Sequence, residues 1–103
     1  MEYLVDERAV TYYNMNKERT AEELGAIYEW KSSEEVKEEF NAILRDNKDK
    51  LDLKTRNKYG YVKVYSNDGS IKLTVDVENK EVKFCDIKYK GNKNFPKEVK
   101  KFN

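Results

Sequence analysis

The stretch Tyr61-Val62-Lys63-Val64-Tyr65-Ser66-Asn67-Asp68-Gly69-Ser70-Ile71-Lys72-Leu73-Thr74-Val75-Asp76-Val77 decides the fold, because its apolar residues recur with a period of two. Val62 and Val64 alternate with Tyr61, Lys63 and Tyr65. Beyond the hairpin signal Asn67-Asp68-Gly69, Ile71, Leu73, Val75 and Val77 alternate with Lys72, Thr74 and Asp76. Successive side chains of a strand leave opposite faces of the pleat, so this pattern describes two half-buried strands. A two-residue turn at Asp68-Gly69 sets Val64 opposite Leu73 and Val62 opposite Val75, which makes the apolar face continuous. On the other face Tyr61 then meets Asp76, and Tyr65 meets Lys72.

A second turn at Asn79-Lys80 leads into a third strand, Val82 to Tyr89. The expected pairs are Val77 with Val82 and Val75 with Phe84, and Asp76 falls opposite Lys83. The apolar phase then slips to Cys85, Ile87 and Tyr89, which implies a β-bulge near Cys85-Asp86.

Upstream the period becomes helical. Ser32 and Glu35 have capping-box spacing, and Val36, Phe40, Ile43 and Leu44 form one stripe, with Asn47 and Leu51 in position to continue it. Glu34, Glu35, Glu38 and Glu39 crowd the first half of this helix while Arg45, Lys48 and Lys50 lie toward its end, which suits the helix dipole. A second capping box, Thr20-Ala21-Glu22-Glu23, predicts another helix over Ala21 to Trp30 with Leu24, Ile27 and Tyr28 on one face. Residues 1–19 fit a strand such as Ala9 to Tyr13 or a short helix, and the strand is preferred. Residues 91–103 form a tail or a short helix opened by Pro96, with Phe95, Val99 and Phe102 on one side. The expected fold is therefore α+β: two helices packed on one face of a three- to four-stranded antiparallel β-meander, in one domain spanning residues 1–103.

Composition removes several kinds of chemistry. The 103 residues contain no histidine and one cysteine, so His-based acid/base catalysis, Cys-His nucleophiles, zinc sites and an internal disulfide are not expected. Acidic-x-Lys pairs of the kind found in metal-dependent nucleases occur at Asp86, preceded by Asp76, but also at Glu29, Glu35, Asp46, Asp52, Glu78, Glu81 and Glu98. A pattern that recurs so often marks nothing, and the segment Asp46 to Asp52 lacks the ligand spacing and central glycine of an EF-hand. The reading is a non-enzymatic protein without cofactor or metal. No window approaches 18 apolar residues, so no membrane partner is expected. The N-terminus lacks a basic and then apolar leader, and the protein is read as cytoplasmic, with Cys85 a packed thiol in a reducing compartment.

What remains is charge. Lys and Arg number 21 against 20 Asp and Glu, yet residues 1–50 carry a net charge of −5 and residues 51–103 a net charge of +6. Two macromolecular surfaces follow. The first is the acidic helix face, Glu34, Glu35, Glu38 and Glu39 with Glu22, Glu23 and Glu29 nearby and Trp30 as an anchor, which could imitate phosphate and occlude a basic, nucleic-acid-binding site on a partner protein. Small phage and plasmid inhibitors of host nucleases, and bacterial immunity proteins, use surfaces of this general kind. A protein-binding inhibitor encoded by a phage or mobile element, acting on a target such as a host defence nuclease, is the leading expectation. Its Lys, Asn and Glu richness suits an AT-rich genome. The alternative is a nucleic-acid-binding module whose outer sheet face presents Tyr61, Lys63, Tyr65, Lys72 and Lys83, flanked by Lys54, Arg56 and Lys58. The element order also resembles a winged helix-turn-helix, but four glutamates at the start of its recognition helix would face phosphate. Ordinary explanations exist for both surfaces: a dipole-matched solvated helix, and strands packed by Tyr and Lys.

Overall fold

A computed structural model describes residues 2–51 and 60–87, and places two helices against a four-stranded mixed sheet. The strands are β1 (Leu4–Val5), β2 (Tyr61–Tyr65), β3 (Ile71–Asp76) and β4 (Glu81–Ile87), in the order β1-β4-β3-β2. The helices are α1 (Glu7–Glu23) and α2 (Ser33–Asp46). The β2–β3 register is the expected one, including Val64 with Leu73 and Tyr61 with Asp76. The turn itself is longer than two residues: Gly69 N–H donates to Ser66 O at 2.9 Å, and Gly69 takes φ +76°.

The sheet departs from an antiparallel meander because β1 pairs in parallel with β4, Val5 beside Val82. That pairing completes the apolar layer, since both valines are buried. The bulge also lies earlier than Cys85-Asp86. Val75 pairs with Val82 rather than Phe84, and Thr74 pairs with Phe84, so Lys83 is the extra residue and Asp76 lies opposite Glu81 rather than Lys83. The shift puts Val82 and Cys85 on the same inner face despite their spacing of three. Phe84 is left on the outer face.

The N-terminal expectation is corrected most. Residues 9–13 are not a strand, and Ala21 to Trp30 is not a helix; one helix runs from Glu7 to Glu23. Asp6 caps it, accepting from Arg8 N–H at 2.9 Å, and Arg8 holds the Asp6 carboxyl down to about 2. Thr20 and Glu23 lie in its last turn instead of opening a helix. The end is a Schellman motif, with Ala26 N–H bonded to Ala21 O, Gly25 N–H bonded to Glu22 O, and Gly25 at φ +69°. The buried stripe of α1 was hard to read because it is not all apolar: Asn14 and Lys17 sit on it with Ala9, Val10, Tyr13 and Ala21.

Helix α2 starts as expected, with both capping-box bonds of Ser32 and Glu35 present. It stops at Asp46, so Asn47 and Leu51 do not continue a helical stripe. Asn47 is the C-cap, and its Nδ2 donates to Ile43 O and to Tyr65 O on β2, while Leu51 packs against the core after a 3₁₀ turn. Asn41 bonds Tyr3 at the opposite sheet edge, so α2 is fastened at both edges. Between the layers lie Val36, Phe40, Leu44, Val64, Leu73, Val75, Val82 and Cys85. The readings made for Lys54, Arg56, Lys58, Tyr89 and the segment Phe95 to Phe102 fall outside the described residues.

Candidate protein-binding surface

Gly25 turns the chain out of α1, and residues 26–32 return it to the start of α2 along the flank of α1. Asn14 fixes that return. Buried in α1, its Oδ1 accepts from Lys31 N–H at 2.9 Å and from the Tyr28 hydroxyl, and its Nδ2 donates to Lys31 O at 3.1 Å. The Asn14 amide therefore bonds both peptide groups of Lys31, as a neighbouring strand would. A second clasp joins α1 to α2: Glu39 accepts from the Tyr13 hydroxyl and from Lys31 Nζ at 3.3 Å. Burial, with the Glu39 charge second, raises the Tyr13 hydroxyl above its ordinary range.

This anchoring holds large apolar side chains in water. Ile27 is 78% exposed, Trp30 50%, Met15 43% and Leu24 42%, whereas Tyr28 between them is buried. The expected common face of Leu24, Ile27 and Tyr28 is thus split. Trp30 Nε1 donates to Glu18 Oε2 at 2.7 Å, which lays the indole against α1, one turn from Met15. Glu22, Glu23, Glu29 and Glu34 are exposed around this loop. Exposed apolar side chains with acidic neighbours, on a loop pinned by Asn14, are features shared with protein-docking surfaces.

The four glutamates of α2 are not equivalent. Glu34 and Glu38 are exposed and available, while Glu35 is engaged by Ser32 and Glu39 by Tyr13 and Lys31. Lys37 reaches Glu7 Oε1 at 3.6 Å, so a cation interrupts the acidic face. Ile27, Leu24, Met15 and Asn14 were missed as surface or anchoring residues. Gly25 was the available signal, since a helix end there releases Ile27 from any buried stripe.

The outer sheet face does gather Tyr61, Lys63, Tyr65, Lys72 and Lys83, but it gathers acids with them. Lys72 stands between Tyr65 and Asp86, Tyr61 beside Asp76 and then Glu81, and Lys83 Nζ lies 2.6 Å from Glu81 Oε1. Among the described residues of this face, Lys63, Lys72 and Lys83 are balanced in formal charge by Asp76, Glu81 and Asp86. Phe84 stacks on Tyr12 of α1 with ring centroids 4.7 Å apart, which gives that aromatic a packing role.

Burial pushes the Cys85 thiol up, which favours the unreactive protonated form, and burial lowers Lys17 to about 8 beneath the Tyr13 ring. Among the described residues no three His, Cys, Asp or Glu are placed to share a metal ion, and no helix is long and apolar enough to cross a membrane. Compared with protein families, curated proteins and solved structures, the chain has no significant match to any of them.

Proposed function

We propose that this protein is a non-enzymatic binding module that docks through Trp30 and Ile27, with Glu29 beside them in the chain and the exposed Glu34 and Glu38 of α2 contributing charge, onto a basic site of a partner protein. The observation that carries the reading is the pairing of an exposed indole and isoleucine with a loop that Asn14 has already ordered. A preordered loop loses little entropy on binding, and a tryptophan supplies a large anchoring area. The carboxylates select a cationic rim and speed encounter. A partner whose basic site normally holds nucleic acid fits this chemistry, and occlusion of that site makes the module an inhibitor. A phage or mobile-element inhibitor of a host defence nuclease is the biological form of this proposal.

The test is affinity capture with competition. Immobilised protein is exposed to the heparin-binding fraction of a bacterial lysate, washed, and eluted with a duplex oligonucleotide. The proposal expects a retained protein that the duplex displaces and that a Trp30→Ala, Ile27→Ala, Glu34→Lys variant fails to retain. Retention that the duplex leaves untouched, or that the variant keeps, contradicts it.

A further inference from the structure

Between α2 and the β1 edge lie two clefts of about 470 and 630 Å³ that share Tyr3, Asn41 and Arg45. The smaller is cationic and apolar at once. Leu44, Leu51 and Tyr3 supply apolar walls, Arg45, Lys48 and Lys80 stand around them, and no carboxylate lines it among the described residues. Asp46, Asp49, Glu2 and Glu81, each next in sequence to a lining residue, are not part of its wall, although Glu2 and Glu81 line the larger cleft beside it. Arg45 and Lys48 are exposed and make no ion pair among the described residues.

Backbone pairing is not what this edge offers. Tyr3 N–H donates to Asn41 Oδ1 at 2.8 Å, and Asn41 Nδ2 returns a bond to Tyr3 O at 3.3 Å, so the strand edge at Tyr3 is already satisfied by a side-chain amide. An occupant must be recognised by its side chains. The cleft is open rather than enclosed, which suits a segment that remains attached to a larger partner better than a small molecule that needs most of its surface covered.

We infer that this cleft is a second docking site, for an extended peptide segment in which an apolar side chain is flanked by carboxylates. The apolar group fills the space between Leu44, Leu51 and Tyr3, and the carboxylates meet Arg45, Lys48 and Lys80. The cleft itself contains neither Trp30 nor a carboxylate of that surface and is opposite to it in charge preference, while Glu34 and Glu38 line the larger cleft beside it.

The probe is a fluorescein-labelled octapeptide of alternating Glu and Leu, followed by fluorescence anisotropy with the full chain at ~50 and ~200 mM salt. Parallel arms use a Glu/Ser and a Lys/Leu octapeptide. Saturable binding of the Glu/Leu peptide, at least about tenfold tighter than either control and weakened about tenfold or more by Arg45→Glu with Lys48→Glu, is the expected result. Reversing two charges at the C-terminal end of α2 opposes its dipole, so the urea midpoint of this variant is checked, and Arg45→Ala with Lys48→Ala serves if the midpoint falls. Equal affinity for the Glu/Ser or Lys/Leu peptide, or indifference to the charge changes, overturns the inference. Trp30→Ala should leave peptide binding intact, which separates failure here from failure of the Trp30 surface.

Discussion

Asn14→Ala should be among the most damaging single changes in this protein, and the structure allows the loss to be worked out. The substitution removes the Asn14 amide from Lys31 N–H, Lys31 C=O and the buried Tyr28 hydroxyl, the last of which keeps an interaction with the Lys31 backbone. An unsatisfied buried group costs about 1–3 kcal/mol. Lys31 is only half-buried, so water recovers part of two of these losses, and alanine regains about 0.5 kcal/mol of helix propensity. The net is about 3 kcal/mol, from a total that for a domain of this size is about 5–15 kcal/mol. With a urea slope of about 1.5 kcal/mol/M, the midpoint should fall by about 2 M. Tyr28→Phe alone should cost about 1 kcal/mol, and much less once Asn14 is gone, because the two residues share one bond. Urea titration followed through Trp30 emission reads both effects, since the released loop also moves the indole off Glu18. A midpoint drop under about 0.5 M would refute the reasoning, because it would mean the Asn14 amide does not order the loop.

Three further outcomes test other parts of the fold. Burial lowers Lys17 to about 8, so between about pH 8 and 10 the folded state sheds this proton before the unfolded one and stability gains a rising slope. Burial raises Cys85, so from about pH 8.5 the unfolded chain ionises first and a falling slope opposes it. Lys17→Met removes only the rising slope: the variant should be the more stable at pH 7 and lose its advantage between about pH 8.5 and 10, whereas a pH-independent difference in melting temperature would contradict the burial of Lys17. Ser32→Ala should destabilise by about 1 kcal/mol through the lost capping box, while the exposed Glu34→Ala should stay within about 0.5 kcal/mol; equal effects in a denaturation series would show that the box does not hold α2. Gly25→Ala meets no crowding at the added methyl, so any loss measures the backbone at φ +69° alone; about 1 kcal/mol is expected, and an unchanged midpoint would dispute the Schellman turn.

Legibility in the sequence followed the regularity of the pattern. Strict alternation in residues 61–77 sets the β2–β3 register, and the Ser32–Glu35 box sets the start of α2, because each signal is local and each partner is named by spacing alone. The bulge at Lys83 and the parallel strand Leu4–Val5 depend on packing between distant segments. Val82 and Cys85 both face the core only because one residue is extruded between them, and Val5 reads as a strand only beside Val82. Helix α1 was misread for a chemical reason. Its inner stripe includes Asn14 and Lys17, a polar pair that helical periodicity counts as exposed but that the loop and the Tyr13 ring satisfy in place. That error hid the exposed apolar side chains, since Ile27 and Leu24 were assigned to a buried face. Trp30, Glu34 and Glu38 were legible as candidates, whereas Glu35 and Glu39, alike in sequence, are engaged in holding the fold.

The surface that holds the partner is the central claim, and the affinity of the captured partner for two variant sets measures it most directly. Biolayer interferometry would compare the parent protein with Trp30→Ala, Ile27→Ala, Glu34→Lys and with Tyr61→Ala, Lys63→Ala, Tyr65→Ala, each checked for an unchanged urea midpoint. The account predicts a loss of at least about tenfold, or 1.4 kcal/mol, for the first set and less than about twofold for the second. The reverse order would place the interface on the sheet and contradict the account.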